Sequence, residues 1–251
     1  MEPVEPLDPH APEIQVLGPV ALADADEPGY RLDALAALIY LRPGQSPQSL
    51  CEAMDPDRPW SRSTLHTRLS ELRVRLGADG DGEPYLPRDQ TRIRLSSRVR
   101  CDWTRFQTLA RRGRHKGQSA GVRELEAALA LVRGRPLSGP SGELPWATPL
   151  VQEMTVRITE VAHTLAAWHR SAGDFEAARR AVTTGLSVSD GDEVLYQDWM
   201  LIEDAAGNRP GVYTAIEQLQ AANRRLGLTI RPETEAVIAG ILSPAPHAQG
   251  Q

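Results

Sequence analysis

Between residues 61 and 77, leucines recur at 65, 69, 72 and 76. That i, i+4, i+7, i+11 spacing puts four side chains on one face of an α-helix. The other faces carry Arg62, Ser63, Thr64, His66, Thr67, Arg68, Ser70, Arg73 and Arg75, with Glu71 as the one acid. One stripe fixes such a helix to a core. The opposite side offers cations and hydroxyls, the groups that donate to phosphates and base edges. The same periodicity predicts helices over residues 32–41, stopped by Arg42-Pro43-Gly44, and over 46–54, with Pro47 near the start. Residues 14–22 read as a short strand or hairpin with Gly18-Pro19 at the turn. Tyr85-Leu86 and residues 91–95 read as two strands joined around Arg88-Asp89-Gln90. In the second of these, Ile93 and Leu95 alternate with Arg92 and Arg94, which predicts a hairpin with arginines outward.

Strands, three helices and a hairpin in this order make a winged helix-turn-helix. Its third helix enters the major groove and its hairpin reaches the backbone or minor groove. Arg88, Arg92 and Arg94 would then be wing contacts, and Arg62 and Arg68 are helix cations whose loss should weaken DNA binding.

From Asp102 onward the pattern is helical only. Asp102 is placed to cap a helix carrying Trp103, Phe106, Leu109 and Ala110. A second helix follows at 122–132, then a glycine- and proline-rich loop at 134–144 and a long helix at 146–172. Residues 173–186, GDFEAARRAVTTGL, start a further helix with small residues at 177, 178 and 181. A related unit recurs at 207–227. Paired helices with glycine at the turn point to a tetratricopeptide-like arrangement. The expected fold is mainly α: a winged helix-turn-helix over 14–100 and an all-α domain over 101–243, with disordered ends at 1–13 and 244–251.

The net charge of −5 argues against a polyanion partner until it is mapped along the chain. Residues 1–57 hold 2 basic residues and 11 acids, and 117–251 hold 11 and 16. Residues 58–116 hold 15 and 6, so the positive charge is concentrated where the leucine-striped helix lies. Lys116 is the only lysine, so nearly every cation is an arginine able to make bidentate contacts.

Other chemistries find little footing. The six histidines, at 10, 66, 115, 163, 169 and 247, are scattered, and His163 and His169 do not share a helix face at ligand spacing. No phosphate-binding G-x-x-x-x-G-K-[ST] loop and no G-x-S-x-G nucleophile elbow occurs. No enzyme, cofactor or metal is expected. Cys51 and Cys101 are too few for a disulfide framework, and neither a signal peptide nor an apolar run of membrane-spanning length occurs. A cytoplasmic protein is the expectation.

The segments VLGPV (16–20), LRVRLG (72–77), CDWTRF (101–106) and ALALVRGRPLSG (128–139), followed by Tyr196 to Met200, Gly207 and Leu226-Gly227, carry a resemblance. In this order they resemble the actinobacterial proteins with a bacterial transcriptional activator domain, the Streptomyces antibiotic regulatory proteins among them. The CDWTRF start resembles at least as much the cytosolic tails of actinobacterial membrane proteins that pair this domain with a LysM module. In the ALYRG signature, Val132 stands where the family has tyrosine. The resemblance implies an OmpR-type winged helix joined to a tetratricopeptide-like domain. It also implies binding to direct repeats in promoter DNA as a homodimer, contact with RNA polymerase, and, carried over by position, recognition-helix contacts at Thr64, His66, Thr67, Arg68 and Arg75 with wing contacts at Arg92 and Arg94. The competing function is a signalling or scaffold module whose winged helix no longer binds DNA and whose helical domain binds a protein or small-molecule effector.

Overall fold

The computed structural model describes residues 11–23, 29–88, 91–139 and 144–243. These fall into two compact units that interleave along the chain. The first takes residues up to Thr108 and returns for Leu131–Met154; the second takes Leu109–Ala130 and the chain from Thr155.

The first unit is a winged helix. Strand β1 (Glu13–Gln15) pairs antiparallel with β2 (Ala21–Leu22), with Ile14 opposite Leu22, and parallel with β3 (Arg100–Cys101). The expected hairpin at 14–22 is present. Glu13 opens the first strand and Ala11 is buried, so the expected disordered end does not extend to residue 13. Helices α1 (Tyr30–Leu41), α2 (Pro47–Met54) and α3 (Arg62–Leu76) pack against one another and the sheet. Ser46 caps α2, its hydroxyl accepting from the Ser49 amide, and Pro47 occupies the first turn, where no amide partner is needed. Leu65, Leu69, Leu72 and Leu76 are all buried, as their spacing predicts.

Two features depart from expectation. Residues 91–95 do not pair with 85–86 as a hairpin. The Ile93 amide donates to the Gln45 carbonyl and the Gly44 amide to the Ile93 carbonyl, both at 3.0 Å. Alternation predicts an extended segment but not its neighbour, and buried Ile93 finds a partner at the α1–α2 turn. Tyr85 and Ser96 are nevertheless linked by an amide–carbonyl bond of 2.9 Å, and the expected turn residues 89–90 lie outside the described residues.

The second departure is the domain boundary. A contiguous split at residue 100 was expected. Residues 133–138 instead run beside 16–20: the amides of Arg133, Leu137 and Ser138 donate to the carbonyls of Leu17, Val16 and Gly18, and Val20 donates back to Ser138. A Cβ at Gly18 would lie 2.8 Å from the Arg133 Cβ, so glycine permits this approach. Asp102, the first residue of helix α4 (Asp102–Lys116), reaches into the same region. Its buried carboxylate accepts from the amides of Val16 (2.8 Å) and Leu17 (3.1 Å), with Arg133 at 3.5 Å. Trp103 and Phe106 stack beside it, ring centroids 5.5 Å apart.

The second unit is helical. Helix α5 (Gln118–Leu129) is followed by α6 (Thr148–Ser171), which is entered through a 3-10 turn at Pro145–Ala147. Then come α7 (Phe175–Val188), α8 (Glu193–Ala205), α9 (Arg209–Leu226) and α10 (Pro232–Leu242). Asp174, Asp192 and Asn208 cap α7, α8 and α9 with side-chain acceptors. The small residues predicted at the α7 interface, Ala177, Ala178 and Ala181, are buried, as is Gly185. A Cβ on Gly185 would meet Leu195 at 2.6 Å and Ala162 at 2.9 Å. Consecutive antiparallel helices packed this closely make the tetratricopeptide-like half of the molecule.

Candidate nucleic-acid interface

Helix α3 begins on Ser61, whose hydroxyl accepts from the Thr64 amide at 3.0 Å and lies 2.8 Å from both the Ser63 and Thr64 hydroxyls. This clusters three hydroxyls at the positive end of the helix dipole, a setting suited to a phosphate oxygen. Arg62, Thr64, His66 and Thr67 are exposed. The Thr67 and Ser70 hydroxyls donate back to the Ser63 and His66 carbonyls. Arg68 pairs with Glu71 at 2.8 Å, one turn along, with both side chains more than a third exposed.

Arg62, His66, Ser70 and Val74 follow at steps of four and form one ridge of the helix. They line a groove of about 550 Å³ with Arg73, Arg88, Pro47, Leu65, Leu69 and Ile93. Three arginines, a histidine and a serine meet over an apolar floor, and among the described residues no carboxylate lines the groove. The Arg73 Nε donates to the Leu86 carbonyl at 3.2 Å, and burial together with the nearby Arg88 pushes its guanidinium below the ordinary arginine range. A site that disfavours its own cations favours an incoming anion.

The sequence-predicted residues divide. Arg62, His66 and Arg88 meet in the groove; Thr64 and Thr67 lie exposed on α3, and Arg92 and Arg94 are exposed on the segment that carries Ile93. Arg75 does not share this face. Its Nη2 lies 3.2 Å from the Asp33 Oδ1, with the arginine side chain 18% and the aspartate 5% exposed. Burial raises the Asp33 carboxyl while Arg75 pulls it back down, so Arg75 serves as the counter-charge of a buried acid at the start of α1. Arg73, Ser70 and Val74 went unrecognised as lining residues. The steps of four from Arg62 to Val74 were the available signal for two of them.

Among the described residues no helix is long and apolar enough to cross a membrane, and no three His, Cys, Asp or Glu side chains are grouped to hold a metal ion.

The fold is a winged helix followed by tetratricopeptide-like helices, and its family match supports a regulator of the transcription-activator type. Residues 101–242, more than half of the chain, match the bacterial transcriptional activator domain, and the chain belongs to that family. Among solved structures, the chain is similar to Mycobacterium tuberculosis EmbR in complex with a low-affinity phosphopeptide, with a TM-score of 0.66 and 22% identity over 94% of this chain. It spans 66% of that structure's length, so the likeness is one of fold. No curated protein matches the chain in sequence.

Proposed function

We propose that the chain is a cytoplasmic, DNA-binding transcriptional regulator. Helix α3 docks in the major groove of promoter DNA, with Arg62, Thr64, His66, Thr67 and Arg68 facing it, and Arg88, Arg92 and Arg94 contact the flanking backbone. The chain acts as a homodimer on direct repeats, and its helical half serves dimerisation, an effector or RNA polymerase. The observation that carries this reading is the groove of about 550 Å³ along α3, lined by Arg62, Arg73, Arg88 and His66 with no acid among the described lining residues. A solvated helix face is ordinarily interspersed with both signs of charge, whereas a phosphate-binding face is not.

Electrophoretic mobility against promoter fragments at low and raised salt tests the reading. Specific binding that weakens steeply with salt is expected, because each phosphate contact releases a counterion. Arg62→Ala and Arg68→Ala should each weaken binding by roughly five- to a hundredfold. Thermal stability should change little, since Arg62 is exposed and the Arg68–Glu71 pair is a partly solvated one on the helix surface. No shift at micromolar protein would support the scaffold function instead.

A further inference from the structure

A second cationic surface lies outside the winged helix. Residues 111–116 at the end of α4 read Arg-Arg-Gly-Arg-His-Lys. The inward position is Gly113, which crosses Gly121 of α5 so closely that a Cβ on Gly121 would collide with the Gly113 carbonyl. A Cβ on Gly113 would in turn lie 2.5 Å from Leu125. That contact fixes the rotation of the helix end, and Arg111, Arg112, Arg114, His115 and Lys116 are all exposed. Two acids balance them in part. Glu160 is shared between Arg114 (3.4 Å) and Arg157 (3.2 Å), and Glu124 pairs with Lys116. Cations in the last turn of a helix complement its dipole, which accounts for Arg114 and Lys116. It does not account for Arg111 and Arg112 a turn earlier, of which Arg112 is also drawn by Glu124, in a stretch of chain whose continuation (117–251) is acidic.

We infer that this strip is a second, sequence-independent contact for the phosphate backbone of duplex DNA, separate from the one made by α3; the inference rests on the DNA-binding function proposed above. Two features favour a nucleic acid over an acidic protein. The cations are mainly guanidinium forks, whose geometry matches phosphate oxygens. Residues 111–120 also expose no large apolar side chain, whereas a protein interface has an apolar or aromatic centre.

The test uses the full chain and two duplexes of equal length, one enriched from a random pool by the unaltered protein and one scrambled. Arg111, Arg112 and Arg114 are changed together to Gln. As a control for net charge, Arg224→Gln and Arg225→Gln on the exposed side of α9 are combined with Arg231→Gln, also exposed, just beyond it. The triple variant should lower the slope of log affinity against log salt by roughly two. It should weaken both duplexes alike, by roughly ten- to a hundredfold at low salt, and leave the selectivity ratio unchanged. Arg62→Ala should instead reduce the ratio. An unchanged slope in the triple variant, or an equal change in the α9 control, overturns the strip while leaving α3 as a DNA reader. Failure of the unaltered chain to bind either duplex overturns both.

Discussion

The two halves of this protein use arginine in opposite ways. In the helical half, the Arg179 Nε and Nη2 both lie 2.8 Å from the Glu203 carboxylate. That carboxylate also accepts from the Trp199 indole (3.1 Å) and the Asn208 amide (2.7 Å). Four donors on one buried acid consume the charge and tie α7 to α8 and to the start of α9. Along α3 of the winged helix, Arg62, Arg73 and Arg88 line a groove in which no described residue is a carboxylate. Composition does not distinguish a structural arginine from one held out to a ligand; the acid within reach does. Arg75 makes the point inside a single helix, because it is spent on Asp33 while Arg62 is left open.

The largest expected effect is on the consumed side. Glu203→Gln keeps the shape and removes the charge, so half-buried Arg179 loses its close counter-ion and keeps only the exposed Glu176, 3.9 Å away. Chemical denaturation should show a loss of about 2–4 kcal/mol. The unaltered network also carries an acid signature. Its hydrogen bond from Arg179 holds the Glu203 carboxyl below its ordinary range, so that stabilisation is present above the unfolded pKa and is lost as pH falls through the folded one. Next comes the residue that looked like a DNA contact. Arg75→Ala should cost about 1–3 kcal/mol by stranding Asp33, with little change in DNA affinity once the protein is folded. An Arg75→Ala protein of native stability that binds DNA poorly would erase the distinction drawn within α3.

The smallest effect concerns His163, whose Nδ1 lies 2.6 Å from the Asp198 Oδ2. The hydrogen bond to Asp198 raises the histidine, and burial raises Asp198. Both groups therefore hold a proton more tightly folded than unfolded. Their contribution is full below the unfolded pKa values and is lost as pH rises through the folded ones. Thermal unfolding should show a slightly higher midpoint near pH 6 than near pH 8.5, and His163→Gln should flatten that difference. A midpoint that rises over this range in the unaltered protein and not in the variant would reverse the assignment.

Much of the helical scaffold was legible in the amino-acid sequence because helix periodicity and capping are local. Leu65, Leu69, Leu72 and Leu76 predict their own burial, and Ser46 and Ser61 announce helix starts. What could not be read was long-range pairing. Alternation at 91–95 says that Ile93 is extended and inward, but not that it pairs with Gln45, 48 residues earlier. Nothing in RVRLG distinguishes Arg73, anchored on the Leu86 carbonyl, from Arg75, anchored on Asp33. The candidate contacts were legible as a set of residue types on a helix; which of them stay open depends on acids far away in the chain.

Asp102 carries a lesson for dissecting or recombining this architecture. The family match starts at residue 101, yet the carboxylate one position later is engaged by amides of residues 16 and 17. A cut at residue 100 would strand that acid on one fragment and two unsatisfied amides on the other. The unit that is inherited and the unit that folds have different edges here, so a graft of the activator domain onto a foreign partner has to bring the opening strand along.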